Sequence, residues 1–301
     1  MKVPIMGDER KHTMKLGLQI PNFTWPGGES AIGSTLAKIA QAADESGFAS
    51  LWVMDHFFQI HSVGQPEEPM LESYTTLGFL AGQTRKVNLG TMVTGVVYRQ
   101  PAVLVKAVTT LDVLSGGRAY LGIGAAWNEQ EARGLGIPFP PLKARYEALE
   151  EALQIALQMW KGDESPYYGK DITMERPLNR PPSITRPHPP ILIGGVGEKR
   201  TLRLVARYAD ACNLFANLGE DGLRHKLDVL KRHCADAGRP YEQIEKTSLA
   251  TYTGDPHPFL AECQMLSRLG FSHVIVNMRN VQELRPLEEL GKEVIPVIQG
   301  W

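Results

Sequence analysis

The fold is decided by residues 87–138, which read VNLGTMVTGVVYRQPAVLVKAVTTLDVLSGGRAYLGIGAAWNEQEARGLGIP. Residues 87–93 and 119–123 are apolar runs of β-branched and small residues, which predict two buried strands. A helix is predicted between them, because its apolar residues recur at i, i+4 and i+7: Leu104, Val108 and Leu111. Parallel strands joined by a helix place both following loops at the carboxyl edge of the sheet, where α/β proteins bind ligands. Functional residues are therefore expected in these loops.

Composition limits the classes of partner. The 301 residues carry a formal net charge of −1, so no basic field would attract nucleic acid or an anionic membrane. No apolar run approaches the roughly 18 residues that span a bilayer. Three cysteines, odd in number and far apart, favour a reducing compartment over a disulfide framework. We expect a cytoplasmic homodimeric enzyme with a small-molecule substrate.

Apolar runs and helical stripes alternate along the rest of the chain, and eight strand–helix units can be counted. The predicted strands cover residues 15–20, 51–54, 87–93, 119–123, 190–194, 211–215, 246–251 and 273–277. Eight alternating units predict an α/β fold, a single (β/α)8 TIM barrel, rather than an open sheet. The barrel domain is expected to span residues 15–301, after an N-terminal extension over residues 1–14.

One Pro-rich insertion, residues 162–189, interrupts the alternation between units four and five. Its only strand-like part is the sequence YYGKDITM. A long Pro-rich segment inside a compact domain favours a functional cover over a ligand, and a plain surface loop is the alternative.

An acid and an imidazole stand together at the end of the second strand, in Asp55-His56. The carboxyl ends of barrel strands face the active site. Strand alternation sends the two side chains in different directions, so they are not expected to form a relay pair. His56 is the natural proton donor or acceptor, because an imidazole titrates near neutral pH. The structural alternative is an Asp that caps a loop and a His bonded to backbone.

The loops after strands three and four carry small and amide side chains. Residues 91–95, TMVTG, allow an unusual backbone turn, although an ordinary core strand explains them equally. After strand four, GIGAAWNE lacks the third small residue of a dinucleotide fingerprint. Its small residues still permit a planar ligand to approach the backbone, and Asn128 can donate and accept toward a polar ring. Glu129 and Glu131 are interpreted as helix caps rather than catalysts.

A glycine-rich turn, GGVGEKRT at residues 194–201, joins strand five to its helix. Glycines at a helix N-terminus expose backbone N–H groups that suit an anion. The spacing excludes a Walker A motif, and a tight turn without ligand is an equal alternative. No metal is expected, because the chain has neither HExxH nor CxxC. A GxSxG nucleophile elbow is also absent.

In combination, several motifs resemble the luciferase-like monooxygenase superfamily, and most closely its coenzyme F420-dependent oxidoreductases. They are LGLQIPNF from Leu16, LWVMDHF from Leu51, LGTMVT from Leu89, RQPAVLVKAVTTLDVLSGGRAYLGIGAAWNEQE from Arg99 and ILIGGVGEKRTLRLVARYADACNLF from Ile191. The resemblance covers most of the chain and implies a (β/α)8 barrel that holds a deazaflavin ring over its mouth.

The resemblance also implies roles for individual residues. Asp55 would hydrogen-bond the deazaflavin, and His56 would be the active-site histidine. Met92-Val93 would form a non-prolyl cis peptide behind the ring. Ring or ribityl contacts would come from Thr94 and Asn128, and the cofactor phosphate would lie on the loop Gly195, Val196 and Gly197.

One departure restricts the activity. A subset of relatives has a catalytic acid just after the fourth-strand glycines, where this chain reads Ala125-Ala126-Trp127. The sugar-phosphate and alcohol roles of that subset are therefore not carried over. We expect hydride transfer between F420 and a small organic substrate. The alternatives are an FMN-dependent monooxygenase and a catalytically silent flavin-binding barrel.

Overall fold

The computed structural model describes residues 13–301, so most of the predicted N-terminal extension lies outside the described residues. Parallel strands form a barrel, and helices cover its outside. The barrel strands are β1 Lys15–Ile20, β2 Ser50–Val53, β3 Asn88–Thr91, β4 Thr94–Gly95, β5 Leu121–Gly124, β8 Ile191–Gly194, β9 Ala211–Phe215, β10 Glu245–Thr251 and β11 His273–Asn277. A separate antiparallel hairpin contains β6 Tyr167–Tyr168 and β7 Thr173–Met174.

The strand order is β3-β2-β1-β11-β10-β9-β8-β5-β4, and every neighbouring pair in it is parallel. β3 and β4 are the two halves of the third barrel strand, and a parallel bridge between Leu89 and Ala119 brings the ends of the sheet together. The predicted (β/α)8 barrel is confirmed. The prediction of a continuous third strand over residues 87–93 is wrong, because the strand is interrupted at Met92-Val93, whose peptide bond is cis.

Helices follow the barrel strands. They are α1 Glu29–Glu45, α2 Ser73–Gln83, α3 Pro101–Ser115, α4 Glu129–Gly134, α5 Leu142–Lys161, α6 Thr201–Tyr208, α7 Gly219–Asp236, α8 Pro256–Arg268, α9 Arg285–Glu289 and α10 Ile295–Ile298. α3 begins with Pro101 and ends where Gly116 adopts φ 72°, a left-handed conformation that glycine accepts at little cost. A π-helical turn, Leu290–Val294, joins α9 to α10.

Two apolar regions hold the barrel. The larger lies between strands and helices, where residues such as Leu36, Leu77 and Leu153 are buried. Each such leucine contributes roughly 1.5–3 kcal/mol by leaving water. The smaller fills the barrel interior around Trp52 and Ile275. Together they make the scaffold on which the carboxyl-end loops are placed.

The insertion packs against the outside of α3 and α5. The buried Asp112 carboxylate on α3 accepts hydrogen bonds from the N–H groups of Ile184 and Thr185, at 2.6 and 2.9 Å. Trp160 at the end of α5 stacks on His188, with ring centroids 5.6 Å apart. Within the described chain, no residue of 162–189 lines the cavity at the barrel mouth. The expected cover over the ligand is therefore wrong in this structure, and the segment is a strap on the outer helices.

Candidate functional site

A cavity of about 380 Å³ opens at the carboxyl end of the barrel. Most of the predicted site residues line it, although they come from distant parts of the chain: Asp55, His56, Met92, Val93, Thr94, Gly195, Val196 and Gly197. Asn128 is the exception, because its side chain instead caps α4 by accepting from Glu131 N at 3.4 Å.

Asp55 is buried and all its acceptor sites are engaged. Oδ1 accepts from Ser73 Oγ at 2.6 Å, and Oδ2 accepts from Gly95 N at 3.2 Å. Arg99 donates one guanidinium nitrogen to each oxygen, at 2.8 and 2.9 Å. An ionised carboxylate has about four acceptor positions, so a cofactor hydrogen bond would have to displace one of these donors. In this structure Asp55 joins the end of β2 to β4 and to the loop before α3.

His56 lies beside a second carboxylate, Glu131. Its Nδ1 is 3.3 Å from Glu131 Oε1, and the Glu131 side chain is fully buried. Oε2 of the same carboxylate accepts from the N–H groups of Phe57 and Phe58, at 2.8 and 2.9 Å. The Tyr98 hydroxyl donates a hydrogen bond to Oε1. The two residues after His56 and the imidazole itself are thus held by one side chain.

The charge state of this cluster follows from its donors. Burial by itself raises the pKa of the Glu131 carboxyl, but hydrogen bonds from His56, Tyr98 and the Phe58 N–H hold that pKa below its ordinary value. Burial, and then the hydrogen bond to Glu131, raise the pKa of Tyr98. Glu131 is therefore an ionised acceptor and Tyr98 a neutral donor. The interpretation of Glu131 as a helix cap did not foresee that it would accept hydrogen bonds from His56 and Tyr98.

The interrupted third strand forms one wall of the cavity. Thr94 Oγ1 lies 2.7 Å from Thr91 Oγ1 and 2.8 Å from the hydroxyl of Tyr74. Thr91 Oγ1 also reaches Gly122 O on the neighbouring strand at 2.8 Å. This hydroxyl chain ties the two halves of the strand to β5. The cis Met92-Val93 peptide bond implied by the family resemblance is present.

The loop after β5 is fixed by an arginine that the sequence did not single out. Ala126 adopts φ 59°, a left-handed conformation that is uncommon for a residue with a Cβ. Arg145 on α5 donates to the carbonyls of Ala125, at 3.1 Å, and Ala126. The Arg145 guanidinium lies over the Phe139 ring, 4.2 Å from its centroid. These contacts stabilise the turn that carries Ala125 and Ala126 past the cavity.

The glycine loop lies between β8 and α6. Gly195 adopts φ 121°, which favours glycine. A Cβ added at Gly197 would lie 2.8 Å from Thr201 Oγ1 and 3.1 Å from the Tyr146 hydroxyl. Within residues 13–301, the N–H groups of Val196 and Gly197 donate to no acceptor. The loop therefore offers free donors along the cavity wall, at the start of a helix.

Basic side chains adjoin this loop. Lys143, Lys199, Arg200 and Arg203 border a surface depression that shares Tyr146 with the cavity. Arg200 lies over the Tyr146 ring, 5.4 Å from its centroid. In the described part of the chain, Lys199 and Arg200 have no carboxylate within 4 Å. Glu147 and Glu150 line the same depression and pair with Lys143 and Arg203, so its excess positive charge lies on Lys199 and Arg200.

No described helix combines the length and hydropathy needed to cross a bilayer. Among residues 13–301, no three His, Cys, Asp or Glu side chains converge as metal ligands would. The site offers hydrogen-bond donors, an imidazole and small residues.

Three residues that shape the site were not predicted to do so from the sequence: Arg99, Glu131 and Arg145. Each acts on a partner at least 19 positions away, so no local pattern connects it with the site. The only feature of the sequence that could have pointed to them was their place in loops at the carboxyl edge of the barrel. Glu131 and Arg99 both follow strands whose loops were predicted to lie beside Asp55 and His56.

Comparison with known proteins gives the class. Residues 14–282 match the family described as luciferase-like monooxygenase. An F420-dependent glucose-6-phosphate dehydrogenase from Kineococcus radiotolerans is 27% identical, over 98% of this chain and 90% of that protein. An F420-dependent secondary alcohol dehydrogenase, solved with an F420-acetone adduct, superposes with a TM-score of 0.81 at 18% identity, over 95% of this chain and 99% of that one. A monooxygenase from Streptomyces bottropensis gives a TM-score of 0.74 at 20% identity, over 94% and 99%.

The chain belongs to the luciferase-like monooxygenase family. The family that the motifs indicated is confirmed. The two structural likenesses lie below 25% identity, so they bear on the fold alone.

Proposed function

We propose that this protein is a coenzyme F420-dependent oxidoreductase that transfers hydride between the deazaflavin and a small organic substrate. The observation that carries the proposal is the glycine loop with its free N–H groups, next to a cavity walled by small residues and the interrupted strand. The activity in the name of the Kineococcus relative supports the same cofactor.

The residues present fit a phosphorylated tricyclic ring. Val196 and Gly197 would bind its phosphate through N–H groups, and Gly195 supplies the backbone conformation. Met92 and Val93 would lie behind the ring. Thr94 would contact its edge. Asp55 would act by holding Gly95 in place, and Asn128 by fixing the start of α4.

When bound, the deazaflavin supplies hydride chemistry at carbon and does not activate oxygen. The protein contributes positioning and one proton shuttle. His56 would take a proton from the substrate as hydride leaves the substrate carbon for the coenzyme, or return one in the reverse direction. Ala125-Ala126-Trp127 stands where the family's sugar-phosphate subset carries an acid, so we assign no sugar-phosphate substrate.

The basic side chains outside the cavity favour F420 over FMN. The tail of F420 is anionic beyond the phosphate, whereas FMN ends at the phosphate. Lys199 and Arg200 lie where such a tail would leave the cavity, and neither has a described carboxylate within 4 Å. The second candidate function is an FMN-dependent monooxygenase, which would use the same cavity. The monooxygenase from Streptomyces bottropensis shares the barrel fold of this chain.

Titration of the purified protein with F420 and with FMN tests the assignment. F420 absorbance or fluorescence should change on saturable binding, and FMN should bind at least about tenfold more weakly, a difference of 1.4 kcal/mol. The reduced coenzyme should then be oxidised by some member of a panel of small aldehydes, ketones and enones without oxygen uptake. Tighter FMN binding together with oxygen consumption would establish the monooxygenase instead.

We also propose a homodimer that associates through the outer face of α2, α3 and the strap. This face has a groove of about 770 Å³, lined by Val103, Leu114 and Leu178, which are all exposed. Contiguous exposed apolar surface in a water-soluble fold marks an interaction site.

A reducing, cytoplasmic location is proposed from the cysteines. Cys212, Cys234 and Cys263 are buried free thiols. Burial raises the pKa of Cys212 and of Cys263 to about 12, so both remain protonated and unreactive.

A further inference from the structure

The Glu131 carboxylate contacts His56 and the two residues after it, which a residue that only caps its own helix would not do. It stands in the first turn of α4, and its carboxylate reaches back across the loop after β2. All of its acceptor positions are engaged by Tyr98, His56 and two backbone N–H groups. A carboxylate so occupied and so buried is not placed to exchange protons with a substrate itself.

The contact with His56 determines which ring nitrogen carries the proton. An ionised carboxylate only accepts hydrogen bonds, so the Nδ1 that faces Glu131 Oε1 at 3.3 Å must be the donor. In the neutral imidazole, the hydrogen is then on Nδ1 and the lone pair is on Nε2.

Nε2 is the nitrogen left for chemistry. Among the described residues it has no hydrogen-bond partner, and His56 lines the cavity. The Trp127 ring meets the imidazole edge to face, with centroids 5.3 Å apart. The stretch after the fourth-strand glycines, Ala125-Ala126-Trp127, contains no acid. The carboxylate that contacts His56 is that of Glu131.

We infer that Glu131 is a positioning residue that fixes His56 in the Nδ1–H tautomer and aims Nε2 at the substrate. This inference rests on the proposed function for its catalytic meaning, but the tautomer is a property of the protein alone. Tyr98 and the Phe57 and Phe58 N–H groups hold the carboxylate in the orientation that this requires.

Glu131→Gln tests the inference while keeping the shape of the side chain. The Gln oxygen still accepts from the Phe57 and Phe58 N–H groups, and its NH₂ replaces Oε1. Facing a donor, His56 Nδ1 must become an acceptor, so the neutral tautomer should change to Nε2–H. ¹⁵N NMR of ring-labelled protein at a pH where His56 is neutral reads this directly, with the His56 signals assigned by their loss in His56→Ala.

Turnover gives the second readout. In the oxidising direction, with oxidised F420 and the product of the panel compound that the wild type converts fastest, Glu131→Gln should lower kcat by roughly 10²-fold or more, because the base then presents a hydrogen instead of a lone pair. The dissociation constant for F420 should change by less than about threefold, because Glu131 does not line the cavity.

Glu129→Gln is the matched control. It lies in the same helical turn, is half exposed and, among the described residues, pairs with Arg133 alone. It should leave both the tautomer and kcat unchanged. Tyr98→Phe keeps the carboxylate and should keep the Nδ1–H tautomer, so it remains informative if the Gln variant does not fold.

The outcomes are separable. A wild-type protein with the Nε2–H tautomer overturns the inference, and so does a Gln variant that retains Nδ1–H. A tautomer change with unaltered kcat removes the positioning role. If F420 does not bind at all, the proposed function fails while the NMR result still decides the tautomer.

Discussion

His273 is an imidazole enclosed at the amino end of the barrel, far in sequence from the groups it contacts. Trp52 Nε1 donates to Ser50 Oγ at 2.7 Å, and Ser50 Oγ lies 2.9 Å from His273 Nε2, within hydrogen-bond distance. Nδ1 faces Glu245 at 3.8 Å, and Lys15 pairs with the same carboxylate. Burial lowers the pKa of His273 to about 4, against a smaller raising effect of Glu245.

This histidine should make the barrel sensitive to acid. Its pKa in the folded protein lies below the value of about 6.5 expected when unfolded, so the unfolded chain takes up the proton first. The contribution to stability is complete above pH 6.5, falls between pH 6.5 and 4, and levels off below. The shift corresponds to about 3 kcal/mol. Urea unfolding from pH 4 to 8 should show a shallower loss for His273→Gln than for the wild type. Equal pH slopes for the two proteins would mean that His273 is not the sensitive group.

Single residues also show where sequence reasoning ends. His56 was found because a strand end and an imidazole coincide locally. Its partner Glu131 lies 75 positions away, and the sequence around it is that of an ordinary solvated helix start. Asp55 was likewise singled out from the sequence. The hydrogen bonds that Arg99 donates to its carboxylate were not foreseen, because they depend on how two loops meet. The position of Asp55 and His56 beside the cavity was predictable from the strand ends, and the pairing of side chains between loops was not.

At the scale of elements, periodicity was a reliable guide to strands and helices. The strands at residues 15–20, 211–215 and 273–277 match the predicted ranges, because continuous apolar runs are bounded by polar residues or turns. The third strand was predicted without its interruption, since the residues TMVTG are also those of a regular strand. The strap was misplaced because proline content indicates an irregular segment but not the surface against which it packs.

The turn between β8 and α6 is the element on which cofactor affinity should depend. Gly197→Ala places a methyl group against Thr201 Oγ1 and the Tyr146 hydroxyl, and so displaces the free N–H groups. We expect F420 to bind about tenfold more weakly, a loss of 1.4 kcal/mol, with the folded fraction unchanged.

The control for this variant is Gly33→Ala in α1. A Cβ at Gly33 meets nothing within 4 Å, and alanine favours a helix interior. It should leave F420 affinity unchanged. Gly195→Val should weaken binding further, because φ 121° disfavours any side chain. Equal affinity of Gly197→Ala and the wild type, or equal affinity of the wild type for F420 and a dephosphorylated analogue, would exclude this loop as the phosphate site.

The cavity, the buried His273 cluster and the strap lie at different ends and faces of the barrel. The carboxyl end carries the cavity and His56, the proposed proton shuttle, and the amino end carries the buried His273 cluster. The strap occupies the outer face of α3 and α5, away from the cavity. This separation allows the loops of the cavity to vary while the core that supports them is retained.

The face formed by α2, α3 and the strap exposes several apolar side chains to solvent. Val103 is 62% exposed and Leu114 is 69% exposed. If two copies associate here, Val103→Asp with Leu114→Glu should convert the dimer to a monomer, because desolvating two carboxylates against an apolar partner is costly. Sedimentation equilibrium of the wild type should give twice the 33.3 kDa chain mass, and the double variant should give the chain mass. Val297→Asp, an exposed apolar residue of α10 outside this face, is the matched control and should remain dimeric. A wild type that sediments as a monomer, or a double variant that stays dimeric, would show that the face does not mediate association of two copies.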